Sequence, residues 1–101
     1  MCYGLSPQTL KNILAVFAQY QEVEQAILYG SRAKGNYRPG SDIDITLKSA
    51  SLNMPSLFKI MEQLEQLDLP YEIDLSLYTQ IKNTELLEHI ERVGQVIYKR
   101  L

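Results

Sequence analysis

Hydrophobic and polar residues in the first half of the chain follow patterns that predict a helix and two strands. After Ser6 and Pro7, a pair typical of a helix start, apolar side chains recur at helical spacing to about Tyr20. Residues 23–29 end in a continuous apolar run that a glycine stops, which favours a short strand buried on both faces. Residues 42–48 alternate strictly between polar and apolar side chains, which predicts a strand with one apolar face.

The second half continues with elements of the same kinds. An apolar stripe predicts a second long helix that ends before Pro70. Residues 71–78 alternate as a third strand, residues 84–93 have the pattern of a helix closed by Gly94 as a left-handed C-cap, and residues 96–98 are left as a candidate edge strand. This order predicts an α/β (α+β) fold, a small mixed sheet with helices on one face, which leaves the polar face free to carry a site.

Composition and charge narrow the class of protein. The 101 residues, 46% hydrophobic and 22% charged, predict one folded domain over residues 1–101. A formal net charge of −2 makes direct binding of nucleic acid unlikely as a function. No apolar run approaches the ~20 residues that cross a bilayer, so we expect no membrane association. Cys2, the only cysteine, allows no intrachain disulfide, which agrees with a cytoplasmic location.

Two glycines bracket a short turn directly after the first predicted strand. Gly30 and Gly35 let the backbone approach a ligand closely, and free N–H groups at a helix start bind phosphate oxygens. The alternative is an ordinary strand-to-helix turn in which Arg32 and Lys34 are solvated. The turn alone does not decide between the two.

Acidic residues on the polar faces of two predicted strands indicate a chemistry. Asp42 and Asp44 lie two residues apart on one strand, so both carboxylates can reach one cation, for which Mg²⁺ is the best candidate. Asp74 joins them if the second and third strands are neighbours, and Glu72 competes for its role nearer the start of the strand. Three such acids suit metal-assisted phosphoryl or nucleotidyl transfer, whereas the alternative is a solvated polar face.

Taken together, these segments resemble a known signature. The turn at residues 30–35, the sequence Ser41-Asp42-Ile43-Asp44 and the late Asp74 are similar to the G-S-x-A-x-G, S-D-x-D and late-Asp motifs of the DNA-polymerase-beta-like nucleotidyltransferases. In its small size the chain most resembles the minimal nucleotidyltransferase (MNT) group, whose members pair with HEPN-domain proteins. The resemblance implies the polymerase-beta-like nucleotidyltransferase fold.

The resemblance also implies roles for individual residues. It implies that the nucleotide is contacted by Gly30, Ser31, Arg32 and Gly35. It also implies that Mg²⁺ binding and catalysis depend on Asp42, Asp44 and Asp74. Arg32 has a second interpretation, in which it braces the site by pairing with an acid. His89, the only histidine, is interpreted as an ordinary helix residue without a role in the site.

The function implied by the resemblance is transfer of AMP from ATP to a hydroxyl group of a HEPN-type partner, as the antitoxin of a toxin–antitoxin pair. The partner, or a second copy of the chain, would supply contacts that larger family members obtain from an added domain. Two alternatives stay open. One is a non-catalytic module that senses nucleotide or neutralises a partner, and the other is a small-molecule (antibiotic) nucleotidyltransferase, which the short chain disfavours.

Overall fold

The computed structural model describes residues 3–100, so Cys2 lies outside the described residues. The helices are α1 (Pro7–Ala18), α2 (Ser31–Lys34), α3 (Met54–Glu65) and α4 (Thr84–Val93). The strands are β1 (Gln25–Tyr29), β2 (Ile43–Lys48), β3 (Ile73–Leu77) and β4 (Gln95–Lys99), with a 3-10 turn at Tyr78–Gln80. No helix in this part of the chain is long and apolar enough to cross a membrane.

The three longer helices begin where polar side chains cap them. The Ser6 hydroxyl accepts the Thr9 N–H at 3.0 Å, as expected of a serine placed before a proline. Asn53 caps α3 and Asn83 caps α4 in the same way. These caps satisfy N–H groups that have no partner within the helix, and so they fix where each helix starts.

The four strands form one mixed sheet in the order β3-β2-β1-β4. β1 pairs antiparallel with both β2 and β4, whereas β2 and β3 run parallel. The register aligns Asp44 with Tyr29 on one side and with Asp74 on the other. The predicted fold class is therefore confirmed, and the second and third strands are neighbours, as the acid cluster requires.

One face of the sheet is the main core. α1 and α3 pack against it, and its side chains come from alternate positions of the strands. The buried residues of this core are Leu5, Ile13, Val16, Phe17, Val23, Ala26, Leu28, Ile43, Ile45, Leu47, Leu57, Ile60, Leu64, Leu75 and Leu77. This face is closed, so the site can only lie on the other one.

The last helix departs from the expectation that all helices cover one face. Ile90 of α4 packs against Ile27 and Tyr29, which alternate along β1 with the core residues Ala26 and Leu28. The reason is that β1 is apolar on both sides, so its second face also needs a cover. α4 therefore lies on the face of the sheet that carries the polar side chains of β2 and β3, opposite α1 and α3.

The end of α4 also differs from the expected left-handed cap. Gly94 has φ −61° and ψ 143°, which is extended backbone. A Cβ at this position would meet the Ile90 carbonyl oxygen and would lie 2.8 Å from Cγ2 of Ile27. Gly94 is thus needed for the close approach of α4 to β1 and not for a positive φ.

Candidate active site

The turn after β1 is built around two glycines that have different tasks. Gly30 has φ 78° and ψ −155°, a conformation that only glycine adopts readily, and a Cβ there would contact the Asp44 Oδ2 atom. Gly35 has φ 87°, but a Cβ there would meet nothing within 4 Å. Gly30 thus brings the backbone against the carboxylate, while Gly35 ends α2, where its N–H donates to the Ser31 carbonyl at 2.9 Å.

The acids of β2 and β3 lie close enough to repel one another. Burial raises the pKa of Asp44 above its ordinary value, and the charges of Asp74 and Asp42 raise it further. Asp44 is half-buried, whereas the side chains of Asp42 and Asp74 are exposed. The sheet therefore concentrates negative charge at the point where the Gly30 turn meets β2.

The carboxylate oxygens of this cluster are ligands of the kind that Mg²⁺ prefers. Residues 3–100 contain no group of three or more His, Cys, Asp or Glu side chains that could hold a metal ion, so the three aspartates do not form the expected three-ligand site. Mg²⁺ at nucleotide sites typically uses one or two carboxylates together with substrate phosphates. Asp42 and Asp44 supply such hard oxygen donors next to a turn with space only for a glycine, so the residues fit a metal completed by a nucleotide.

The two candidates for the third carboxylate occupy different surroundings. Asp74 lies within β3, in register with Asp44 of the parallel neighbour. Glu72 precedes β3, where its carbonyl oxygen accepts the Ile43 N–H at 2.9 Å, and it lines a cavity with Met61 and Leu64 of α3. This placement favours Asp74 as the carboxylate that acts together with Asp44.

Arg32 is a brace, but its partners are carbonyl groups and aromatic rings instead of an acid. Its side chain is only 2% exposed. Nε and Nη2 donate to the Ser41 carbonyl at 3.2 and 2.8 Å, and Nη1 donates to the Tyr3 carbonyl at 2.9 Å. The guanidinium also lies 5.3 Å from the ring centroid of Tyr37 and 4.7 Å from that of Tyr71. Its observed contacts hold the loop that leads into β2, and a contact of Arg32 with nucleotide stays a prediction.

His89 contacts the turn of the candidate site, although the sequence interpretation gave it no role there. Its Nε2 accepts the Gly30 N–H at 3.0 Å, and its ring meets Tyr29 edge-on at a centroid distance of 6.2 Å. The sequence contained one indirect signal. A strand apolar on both faces needs a helix on each side, and the α4 pattern places His89 directly before the inward-facing Ile90.

Tyr29 is a second residue that the sequence did not indicate. Burial raises the pKa of its hydroxyl, an interaction with Ser76 lowers it, and the charges of Asp74 and Asp44 raise it. Ser76 in turn donates its hydroxyl to the Thr46 hydroxyl at 3.0 Å across the parallel pair. These hydroxyl groups lie on the same face of the sheet as Asp44 and Asp74.

Comparison with known proteins adds a family model and several solved structures. The model described as "Polymerase beta, Nucleotidyltransferase" matches residues 11–101. No curated protein matches the sequence significantly. A toxin–antitoxin complex with AMP-PNP contains a chain with a TM-score of 0.69 and 21% identity, over 95% of this chain and 75% of that one.

Two further structures have the same architecture. The tri-AMPylated HEPN toxin of Shewanella oneidensis in complex with MNT antitoxin matches with a TM-score of 0.69 and 18% identity, over 95% of this chain and 74% of the other. The toxin–antitoxin MntA-HepT matches with a TM-score of 0.67 and 19% identity, over 92% of this chain and 72% of the other. At these identities the likeness shows a shared fold.

Proposed function

Because the chain belongs to the polymerase beta nucleotidyltransferase family, we propose that it transfers AMP from ATP to a hydroxyl group of a HEPN-type partner protein and thereby acts as an antitoxin. The observation that carries this proposal is the alignment of Asp44 and Asp74 on neighbouring strands, directly against the Gly30 turn. Acidic groups that repel one another at a glycine turn are suited to a cation and phosphates together.

Each part of the site has a task in this reaction. Gly30 and Ser31 form the turn that receives the triphosphate. Asp42 and Asp44 would hold Mg²⁺, which when bound supplies neutralisation of phosphate charge. Asp74 accepts the proton of the acceptor hydroxyl, whose oxygen bonds to the α-phosphorus of ATP while the bond to pyrophosphate breaks.

The open surface around the acids supports a protein as the acceptor. Asp42 and Asp74 are exposed, and α4 packs against β1. Good small-molecule sites enclose ~70–90% of the ligand surface, and transfer needs the two reactants held at near-attack distance. A partner docked over this face would supply both conditions, and the solved structures with this fold include an antitoxin bound to an AMPylated HEPN toxin.

The proposal is tested by incubating the protein with labelled ATP and Mg²⁺, with and without a candidate HEPN-domain partner. We expect label on a hydroxyl side chain of the partner, lost in Asp44→Asn and Asp74→Asn. Glu72→Gln is the matched control, since it removes a neighbouring acid outside the cluster and should keep transfer. Neutralisation of the partner by an inactive Asp44→Asn protein would instead indicate a binding module, and rapid labelling of a free aminoglycoside would indicate a small-molecule enzyme.

A further inference from the structure

A side chain of α4 hydrogen-bonds to the glycine that opens the proposed nucleotide turn. The Gly30 N–H donates to Nε2 of His89 at 3.0 Å, although the two residues are 59 positions apart in sequence. An N–H group at this position is free to bind a phosphate in an isolated turn. Here Nε2 of His89 accepts it, so this N–H is not available to a phosphate and Gly30 contributes its backbone conformation to the turn.

The imidazole is held by its contact with Tyr29 and by the docking of α4 on the sheet. Ile90, the next residue of α4, is 3% exposed and packs on β1, and the ring of His89 meets Tyr29 at an interplanar angle of 80°. Farther along the helix, the Tyr78 hydroxyl donates to Oε1 of Glu91 at 2.6 Å. The side chain is therefore set against the turn by the same contacts that dock α4.

The other side of Gly30 faces the acids. A Cβ on this residue would contact Oδ2 of Asp44, so the glycine lies between the imidazole and the carboxylate. A rotation of the Gly30 peptide would break the bond to His89 and change the gap to Asp44 together. The hydrogen bond thus couples the position of α4 to the spacing between the turn and the metal-binding strand.

We propose that His89 is a positioning residue for nucleotidyl transfer, whose Nε2 holds the Gly30 peptide so that the turn and Asp44 are correctly spaced for nucleotide. This role rests on the proposed function. Acceptance at Nε2 places the ring proton on Nδ1, which defines the tautomer that the structure requires. The chemical requirement is an acceptor atom at this point, not a charge.

Three variants separate this role from a structural one. His89→Gln retains an acceptor oxygen near the place of Nε2, His89→Leu fills similar space without an acceptor, and Glu88→Gln is a control on the exposed side of the same helix. We expect His89→Leu to lower kcat/KM for ATP about 10- to 100-fold, the scale of a small misplacement of reacting groups. His89→Gln should recover most of the loss, and Glu88→Gln should behave as wild type.

Two measurements need no turnover. In the wild type, NMR should detect a scalar coupling between the Gly30 amide nitrogen and Nε2 of His89 across the hydrogen bond. The affinity for Mg²⁺ with a non-hydrolysable ATP analogue should fall in His89→Leu and recover in His89→Gln. Thermal melts show whether each variant is folded, and His89→Gln decides the question if His89→Leu is not.

The outcomes distinguish the two proposals. A wild type that binds the analogue but transfers nothing to any partner overturns the proposed function alone. Equal affinity for the analogue in wild type and folded His89→Leu, or absence of the coupling in wild type, overturns the role of His89. Failure of His89→Gln to recover affinity, when it is folded, also contradicts the acceptor role.

Discussion

The two faces of the sheet are made by the same strands but have opposite physical character. On one face, Ile43, Ile45 and Leu47 of β2 are fully buried beneath α1 and α3. On the other, Asp44 and Thr46 of the same strand carry a carboxylate and a hydroxyl. The first face is a close-packed core, in which volume determines stability, and the second is a site, in which charge and hydrogen bonding determine function.

This difference explains how the fold remains stable despite electrostatic repulsion among the acids of the site. Charges of like sign around Asp44 disfavour the folded state, yet burial of the opposite face supplies the stability that offsets this cost. Changes on the core face should therefore alter the free energy of unfolding, whereas changes on the site face should alter nucleotide chemistry at small cost in stability.

The largest expected effect is on the core face. Ile45→Ala should lower the free energy of unfolding by ~2–5 kcal/mol, because the side chain is fully buried and leaves a cavity. Thr46→Val is the matched control on the next residue, since it keeps the volume and loses hydrogen bonds with Ser76 worth about 1 kcal/mol. Denaturant melts measure both, and equal losses would contradict the division between the faces.

The next largest effect concerns the loop that delivers Asp42 into β2. Arg32→Lys should cost ~2–3 kcal/mol of unfolding free energy, because a lysine cannot replace three hydrogen bonds to the carbonyls of Ser41 and Tyr3. Lys34→Met, exposed on the same turn, should change stability little. If the two variants have the same melting temperature, the guanidinium does not brace the loop.

The two glycines of the turn give a smaller effect and an internal comparison. Gly30→Ala should cost ~1–3 kcal/mol from backbone strain, with further loss from contact with Asp44, and should weaken nucleotide binding. Gly35→Ala should cost only ~1–2 kcal/mol, because its φ is positive but its surroundings are open. Thermal melts and nucleotide titrations together check this, and a greater loss for Gly35→Ala would contradict the assignment.

The smallest effect is a gain. The pKa of Asp44 is raised in the fold above its ordinary value of 3.8, so wild type loses stability as pH rises through that range. At pH 7 in chelator, the free energy of unfolding of Asp44→Asn should therefore exceed that of wild type by ~0.5 kcal/mol, a small value because this carboxyl is partly exposed. Near pH 3 the two proteins should not differ in stability. Melting curves across pH test the sign. A less stable variant at pH 7 would make Asp44 a structural residue.

Much of this division was predictable because alternation along a strand is a local property. The pattern of residues 42–48 assigned Asp42 and Asp44 to one face, and the pattern of β3 placed Asp74 on the corresponding face. Their meeting required β2 and β3 to be neighbours, which long-range pairing decides. The sequence indicated that arrangement only through its resemblance to a family.

Two side chains could not be assigned from the sequence for physical reasons. Arg32 binds backbone carbonyl oxygens, which every residue carries, so no residue type in the sequence marks its partners. His89 meets Gly30 only because α4 crosses onto the second face of β1, where Ile27 and Tyr29 need a cover. Both contacts depend on how elements pack and not on the pattern within any one element.

We expect the polar face of the sheet to bind nucleotide through a metal held by Asp42 and Asp44. Isothermal titration with a non-hydrolysable ATP analogue tests it directly, in Mg²⁺ and in excess chelator, for wild type and for Asp42→Asn. We predict clear binding by wild type in Mg²⁺, and only weak binding in chelator or by the variant in either condition. Equal affinity in chelator and in Mg²⁺, or unchanged Mg²⁺-dependent affinity in the variant, would contradict it.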